Sequence, residues 1–466
     1  MALSSALNAA TAGLFSTSRR AEVASFNIAN AATSGYARRE LSVQSNAFGP
    51  GPQVLGVIRR SDAALVGDRR TAQATAEGAV LLSSRLLRIE QAIGTIGEGG
   101  GLTDAINAFD AALIRAAASP EQAASLSAVV EAARILTSRF RETSNVIQQT
   151  RADADKQIAT DVDTLNRSLR LIAELDDRIV AARAANRDAA SLQDQRQQLI
   201  DGVARIIPLR EVQRPDGRPA LIALHGAILL DGRPAEFDFT AAAAVTASSG
   251  APLSGLALNG RPLPTGRDSL IAGGTLTAAF ALRDQITVGF QAGLDDLAQD
   301  LALRLQSADD TLATGQPGLL TDQDSAPEPA SLAGLSARLA LNNLVDPNQG
   351  GTLRLVRDGL SSVDPGPPSD GARLLALQQA LVAASPQGIA DLATNLVQSI
   401  AATRLSAEAD TARAQAKAAL YQEAEAAAGV STDQELQDLL LIEKAYAANA
   451  KVLQVVDGLL QTLLEV

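Results

Sequence analysis

The chain has 466 residues, of which 46% are hydrophobic and only 3% aromatic, and its formal net charge is −12. A length of this order predicts about three domains and more than one hydrophobic core. The negative charge argues against a nucleic-acid binder. The lack of cysteine excludes disulfides, thiolate metal sites and cysteine nucleophiles. Since no apolar stretch reaches the length of a membrane span, we expect no membrane insertion.

The first residues lack the pattern of a secretory signal peptide. Such a peptide places positive charge before an apolar core, whereas residues 1–18 carry no charge and Arg19 and Arg20 follow them. We therefore expect any export from the cytoplasm to use a route that cleaves no such peptide.

Residues 2–30 have the spacing of a coiled-coil helix. Small or apolar residues recur in alternating steps of four and three, at Leu3, Leu7, Ala10, Leu14, Thr17, Ala21, Ala24 and Ile28. Such a series forms the a/d face of a helix that packs lengthwise against another helix. The helix is predicted to end in a turn over residues 30–36, where Gly35 can adopt a positive φ.

The segment after this turn, residues 37–60, is predicted to be extended or irregular. Helical periodicity returns over residues 62–96 and continues through residues 102–200. Within it, Pro120 is predicted at the first position of a helix after a Ser119 cap, and Ser191 is predicted to cap a later helix.

From residue 206 the pattern changes to short apolar runs separated by turns such as Asp216-Gly217 and Asp231-Gly232. These runs predict β-hairpins. Residues 275–312 are predicted to form one helix, and residues 319–370 to be β or loop.

The last helical segment, residues 389–464, carries a second heptad series at Leu439, Ile442, Tyr446, Asn449, Leu453, Val456, Leu460 and Leu463. We interpret Asn449 as a polar residue that sets the helix register; a solvent-facing asparagine is the alternative.

The two ends of the chain also differ in charge. Residues 1–70 hold eight Arg against four Asp or Glu, and residues 405–466 hold four Lys or Arg against ten Asp or Glu. Opposite charge favours pairing of the ends.

These patterns predict a mainly α fold with a β insert. The N- and C-terminal helices are expected to pair as a coiled-coil layer, followed by a helical rod domain and a projecting small β domain. The predicted boundaries are residues 1–36 with 430–466 for the terminal assembly domain, 37–205 with 275–312 and 371–429 for the rod domain, and 206–274 with 313–370 for the β-rich outer insert.

No side-chain pattern predicts catalysis, a cofactor or a metal. His225 is the only histidine, so it cannot nucleate an ordinary transition-metal site. Three adjacent aspartate pairs begin at Asp176, Asp295 and Asp309. Neighbouring helical side chains diverge by about 100° and cannot share a proton, so we interpret these pairs as solvated helix faces.

Four segments, in the expected order, resemble the bacterial flagellar rod, hook and hook-associated proteins. Residues 27–38, Asn-Ile-Ala-Asn-Ala-Ala-Thr-Ser-Gly-Tyr-Ala-Arg, resemble the N-terminal signature of that family, A-N-x-x-T-x-G-Y. Residues 429–460 are similar to its closing helix. Two further stretches, residues 192–199 and 273–276, point within the family to the subunits of the hook–filament junction. The β insert is similar only loosely.

The resemblance implies a non-enzymatic structural subunit of the extracellular flagellum. It implies a homo-oligomeric ring at the hook–filament junction, with the flagellar hook protein on one side and hook-associated protein 3 on the other. It also implies type III export, with a FlgN-type chaperone that shields the C-terminal helix. The alternatives are a hook or distal rod protein of the same family and, in another class, a cytosolic coiled-coil scaffold.

The expected subunit contacts lie at both ends of the chain. At the N-terminal end they are Leu3, Leu7, Leu14, Ile28, Asn30, Thr33, Gly35 and Tyr36. At the C-terminal end the same residues are expected to contact subunits and the chaperone: Leu439, Ile442, Tyr446, Asn449, Leu453, Val456, Leu460 and Leu463. Tyr36, Arg38 and Arg39 are interpreted as a contact to a neighbouring subunit, with a solvated loop as the alternative.

Overall fold

The computed structural model describes residues 2–33, 35–45, 49–95, 97, 99–185, 187–248, 253–266, 268–328, 332–383 and 387–464. Over these residues the chain is mainly helical with small antiparallel sheets, which confirms the predicted fold class. The helices are α1 (Ala2–Asn30), α2 (Ala63–Ile93), α3 (Leu102–Ala118), α4 (Ala123–Ala184), α5 (Ala190–Ile206), α6 (Gly274–Ala281), α7 (Thr287–Ser307), α8 (Leu335–Arg338), α9 (Arg354–Asp358), α10 (Ala372–Val382), α11 (Ile389–Ala427) and α12 (Thr432–Leu464).

The described strands form four antiparallel sheets whose strands are neighbours in chain order. The hairpin that follows α1 consists of β1 (Arg39–Ser45) and β2 (Pro52–Arg59). A four-stranded sheet contains β3 (Leu209–Val212), β4 (Ala220–Ala223), β5 (Ile228–Asp231) and β6 (Arg233–Pro234). The other two sheets contain β7 (Phe237–Asp238), β8 (Leu256–Leu258) and β9 (Arg261–Leu263), and β10 (Leu320–Asp322) with β11 (Leu339–Leu341).

Two hydrophobic cores share the 62-residue helix α4, which is roughly 90 Å long at the standard rise. Its first half packs with α3, α7, α8 and β11, in a core where Phe109 and Phe140 are fully buried. Its second half packs with α5, α6 and the strands β5 to β7, in a core that includes Ile200 and Leu221. The two cores are therefore joined by one continuous helix. The division into three domains stays a prediction.

Both predicted helix starts in the middle of the chain are wrong. The Gln122 N–H donates to the Ser119 carbonyl, so Pro120 lies in a turn that precedes α4. Helix α5 begins at Ala190, whose N–H donates to the Asp188 carboxylate at 2.8 Å. Asp188 therefore holds the first turn of α5, and Ser191 lies within the helix. At the start of α5 the Asp188 carboxylate thus satisfies a backbone N–H of the first turn.

The helix predicted over residues 275–312 is interrupted by a π-helical segment, Leu282–Ile286. The Thr287 backbone N–H donates to the Leu282 carbonyl five residues earlier, a bond that a regular α-helix does not provide. The buried Thr287 hydroxyl donates to the same carbonyl at 2.8 Å. Arg283 is buried there and binds Asp155 at 2.7 Å. Its guanidinium also lies 4.8 Å from the centre of the Phe280 ring. The ion pair with the distant Asp155 favours the wider turn over a regular helix.

The interpretation of the aspartate pairs as solvated faces is wrong for the first member of each pair. Asp176 is buried against Arg196 at 2.6 Å, and burial raises the pKa of Asp176 although Arg196 opposes that shift. Asp309 is buried and binds Arg373 at 2.7 Å. Asp295 is buried and accepts the N–H groups of residues 334 and 336 at 2.8 and 2.9 Å. The second members of all three pairs are exposed.

Replacing Asp295 by alanine should therefore destabilise the hydrophobic core that α7 shares with the first half of α4. The substitution leaves the buried N–H of Ser336 and the Ser336 hydroxyl without their carboxylate acceptor, at a cost of about 2–4 kcal/mol. The urea midpoint of the helical circular dichroism signal measures the loss. Asp296→Ala, at the exposed neighbouring position, is the matched control and should change stability by no more than about 0.5 kcal/mol. Equal effects of the two substitutions would contradict this role of Asp295.

Candidate assembly interface at the terminal helices

The terminal helices α1 and α12 pack against each other, which confirms their predicted pairing. They run antiparallel, because Gly13 lies against Asn449 while Arg38, beyond the end of α1, binds Glu435 near the start of α12. All eight residues of the N-terminal heptad series are buried or half-buried. On α12, Leu439, Ile442, Asn449 and Leu453 are half-buried, Val456 is buried, and Tyr446 and Leu460 are exposed. The Leu463 side chain lies outside the described residues.

One contact between the two helices involves a glycine that the heptad series does not include. A Cβ atom added to Gly13 would lie 2.8 Å from the amide oxygen of Asn449. This distance is shorter than a van der Waals contact, so a larger residue at position 13 would require the Asn449 side chain to move. Asn449 is therefore half-buried against α1, and its solvent-facing alternative does not hold in this chain. Whether it sets the register of a coiled coil stays a prediction.

The turn after α1 is held by the buried side chain of Asn27. Its amide donates to the Arg39 carbonyl at 2.9 Å, and its oxygen accepts the Arg39 N–H at 2.9 Å and the Tyr36 hydroxyl at 2.8 Å. The Arg39 guanidinium lies 5.0 Å from the centre of the Tyr36 ring, a cation–π distance. Burial raises the pKa of Tyr36, while the charge of Arg39 opposes that shift. Asn27 thus fixes where the chain leaves α1.

The other residues of the resembling N-terminal segment shape the same turn. The Asn30 amide donates to the Phe26 carbonyl at 2.9 Å, and the exposed Thr33 donates its N–H to the Asn30 carbonyl at 2.9 Å. Gly35 has φ +80°, as predicted, and an added Cβ atom would lie 2.9 Å from the side chain of Gln198. Gly35 is therefore required by the backbone conformation and by the nearness of α5.

Two arginines of the hairpin bind one carboxylate of helix α5. Asp194 accepts from Arg39 Nη2 at 2.8 Å and from Arg59 Nε at 2.9 Å, and all three side chains are at least 84% buried. Asp194 therefore joins the hairpin to helix α5. The family-like stretch 192–199 also supplies Gln197, which binds Arg70, and Gln198, which lies beneath Gly35. This stretch is the surface on which the terminal turn lies.

The hairpin is bound to helix α12 as well. Arg38 Nε donates to Glu435 at 2.7 Å, and the Glu435 side chain is only 3% exposed. The hydrogen bond to Glu435 raises the pKa of Arg38. Tyr36, Arg38 and Arg39 thus contact their own chain, so the solvated-loop alternative does not hold. Their contact to a neighbouring subunit stays a prediction. The sequence pattern alone did not single out Asn27, Arg59 or Glu435, although the opposite charges of the two ends pointed to ion pairs between them.

A second heptad series on α12 faces away from α1. Its members are spaced by alternating steps of four and three, and all are exposed: Leu441, Ala445, Ala448, Val452, Val455 and Leu459. The four larger side chains are 44–63% exposed. We call these six residues the outer series. In the described part of the chain they form an exposed apolar stripe that no other helix covers.

No metal-binding cluster of three or more His, Cys, Asp or Glu occurs in the part of the chain that the structure describes. Within the same residues, no helix combines the length and apolar character needed to cross a membrane.

Asp194→Asn should loosen the contact between the hairpin and helix α5. The change removes the charge that Arg39 and Arg59 share, at a cost of about 2–3 kcal/mol, and an isolated two-stranded hairpin is marginally stable. Hydrogen exchange should report at least about tenfold lower protection of the β1 and β2 amides, with helix α4 unchanged. The control is Asp163→Asn, at an exposed position of α4. Hairpin protection that equals that of the control would refute this role of Asp194.

Comparison with known proteins identifies the family. The model of the flagellar hook-associated protein FlgK helical domain matches residues 86–318, which are 233 of the 466 residues. The model of the flagellar basal body rod FlgEFG protein C-terminal region matches residues 421–466. A solved structure, the flagellar hook junction protein FlgK from Burkholderia pseudomallei, aligns over 55% of this chain and 46% of its own, with 19% identity and a TM-score of 0.45.

Two curated relatives carry the name flagellar hook-associated protein 1. The Escherichia coli protein is 26% identical over 247 residues, and the Salmonella typhimurium protein is 27% identical over 250 residues. Each match covers 50% of this chain but only 44% of the relative, so the chain spans less than half of either relative. Because the FlgK helical domain matches half of its residues, the chain belongs to the family of flagellar hook-associated protein FlgK.

Proposed function

We propose that the chain is a non-enzymatic structural subunit of the extracellular flagellum, in a homo-oligomeric ring at the hook–filament junction. The observation that carries the proposal is the outer series of α12, an apolar heptad stripe that α1 leaves uncovered. Burying a large apolar side chain contributes about 1.5–3 kcal/mol relative to leaving it in water. A helix of a neighbouring subunit that covers this stripe would complete the terminal layer only in the assembled flagellum.

The proposed neighbours are further copies of this chain, the flagellar hook protein and hook-associated protein 3. Export would use the flagellar type III route, and a FlgN-type chaperone would cover the outer series before export. A large exposed apolar stripe is an aggregation liability in a free subunit, so a protein that shields it is physically reasonable. The eight N-terminal and eight C-terminal contact residues named from the sequence remain part of this proposal.

A second candidate is a hook or distal rod protein. It is favoured by the match of residues 421–466 to the C-terminal region shared by rod proteins. The junction role is favoured by residues 86–318, which match the FlgK helical domain. A cytosolic coiled-coil scaffold would differ from both, because it would stay inside the cell.

Deleting the gene tests the junction role directly. We expect cells with bare hooks that release filament monomer into the medium, because filament subunits would have no adaptor on which to assemble. Supplying the full chain from a plasmid should restore filaments. Motile mutant cells with normal filaments would overturn the junction role. Loss of the hooks themselves would favour the hook or rod alternative, and a protein found only in the cytoplasm would favour the scaffold.

Two charges placed on the outer series should block assembly without unfolding the subunit. Val452→Asp with Val455→Asp changes exposed positions, so the free protein should keep its stability to within about 0.5 kcal/mol per site. Incorporation into flagella, measured by quantitative immunoblotting of purified organelles, should fall at least about tenfold, because buried unpaired charge is costly.

The matched control for this double variant is Gln454→Asp with Gln461→Asp. Both glutamines are exposed on α12, on a face that contains neither the outer series nor the contacts to α1. The control should incorporate like the wild type. Normal incorporation of the Val452 and Val455 variant would remove the observation on which the proposal stands.

A further inference from the structure

An open cleft of about 840 Å³ lies between the hairpin, the start of α2 and the segment that joins α4 to α5. Its charge is opposite to that of the chain as a whole, whose net charge is −12. The described lining contains seven arginines and three acidic residues: Arg19, Arg59, Arg70, Arg183, Arg187, Arg196 and Arg210 against Asp68, Asp188 and Glu211. We call this feature the arginine cleft.

Three of these arginines have no carboxylate partner. Four of the seven bind acidic side chains of their own chain. Arg183, Arg187 and Arg210 are exposed and form no ion pair with any described residue. The lining of the cleft also includes three exposed apolar side chains, Leu55, Ile58 and Leu224, which are 42–57% exposed. The cleft therefore offers apolar area together with uncompensated positive charge.

The first half of α12 offers the opposite combination. Its residues 432–443 contain four acidic residues and no Lys or Arg. Spacings of three, four and three place Asp433, Leu436, Leu440 and Glu443 on one helix face. The two leucines are 53% and 59% exposed, and the two acidic residues are exposed and form no ion pair with any described residue. We call these four residues the acidic face; it differs from both the outer series and the face that packs on α1.

The acidic face does not occupy the cleft of its own chain. The described lining of the arginine cleft includes no residue of α12. One chain therefore carries both halves of a complementary contact at separate places. A contact of this type between unlike surfaces of identical subunits is heterologous, and it closes into a ring when the rotation between subunits permits.

We propose that the arginine cleft binds the acidic face of α12 from a second copy of this chain. The proposal rests on the proposed function and names the lateral contact within its ring. Arg183, Arg187 and Arg210 would pair with Asp433 and Glu443 of the neighbour, while Leu436 and Leu440 would cover Leu55, Ile58 and Leu224. Charge pairing of this kind sets orientation and partner choice, and the apolar contact supplies affinity.

A photocross-linking amino acid at position 224 tests the contact in assembled flagella. Leu224 lines the cleft and is 42% exposed, so the replacement should not disturb the core. Mass spectrometry should find cross-links to residues 433–443 of another copy, which a mixture of isotope-labelled and unlabelled chains distinguishes from the same copy. Cross-links to a different protein, to the same copy or to another segment would overturn the proposal. Absence of the wild-type chain from flagella would instead overturn the proposed function.

A charge exchange tests the chemistry. Arg187→Glu with Arg210→Glu should reduce incorporation into flagella at least about tenfold, since like charges would then face each other. Adding Asp433→Arg and Glu443→Arg to the same chain should restore incorporation to within about threefold of the wild type. The matched control, Arg167→Glu with Arg170→Glu, changes exposed arginines of α4 outside the cleft and should incorporate normally.

Thermal unfolding of each variant separates loss of contact from loss of fold. All four reversed positions are exposed, so the melting temperatures should match that of the control. If the cleft variant incorporates normally, the proposal is wrong. If it fails to incorporate and the exchange does not rescue it while all variants remain folded, the cleft binds something other than the acidic face of a second copy, and the proposal is equally wrong.

Discussion

The arrangement of the terminal helices relative to α5 depends on two buried carboxylates, Asp194 and Glu435. Asp194 binds Arg39 and Arg59 of the hairpin, while Arg38 of the same hairpin binds the buried Glu435 of α12. The hairpin alone is too small to be stable, so its position depends on these ion pairs and on Asn27. Because all of these groups are largely buried, removing one partner leaves an uncompensated charge, which costs more than the pair itself contributes.

The long helices of this chain fit its low content of aromatic residues. Alanine favours helix but buries little area, so stability comes from long helices with many small contacts. Helix α4 contributes to both hydrophobic cores along its 62 residues. The buried Arg283 binds Asp155 of α4 and fixes the π-helical segment against that helix. Asp295 of α7 binds the N–H groups of Gly334 and Ser336 and fixes the start of α8.

Helix α12 has three different faces. One face packs on α1, the outer series is an uncovered apolar stripe, and the acidic face combines exposed leucines with free carboxylates. A helix in a monomeric globular protein needs only one apolar face. The proposed assembly role of the chain rests on these additional faces of α12.

The helical class, the pairing of the ends and the glycine of the terminal turn could be predicted from the sequence, because heptad spacing, charge and the need for a positive φ are visible in neighbouring residues. The folded chain was needed to show which aspartates are buried, that Asp194 joins the hairpin to α5, and where the helix over 275–312 widens into a π-turn. These outcomes depend on partners such as Arg59 for Asp194 and Asp155 for Arg283, more than 120 positions away along the chain. Spacing along one helix gives no information about which distant element covers each of its faces, so burial and ion pairing had to come from the folded chain.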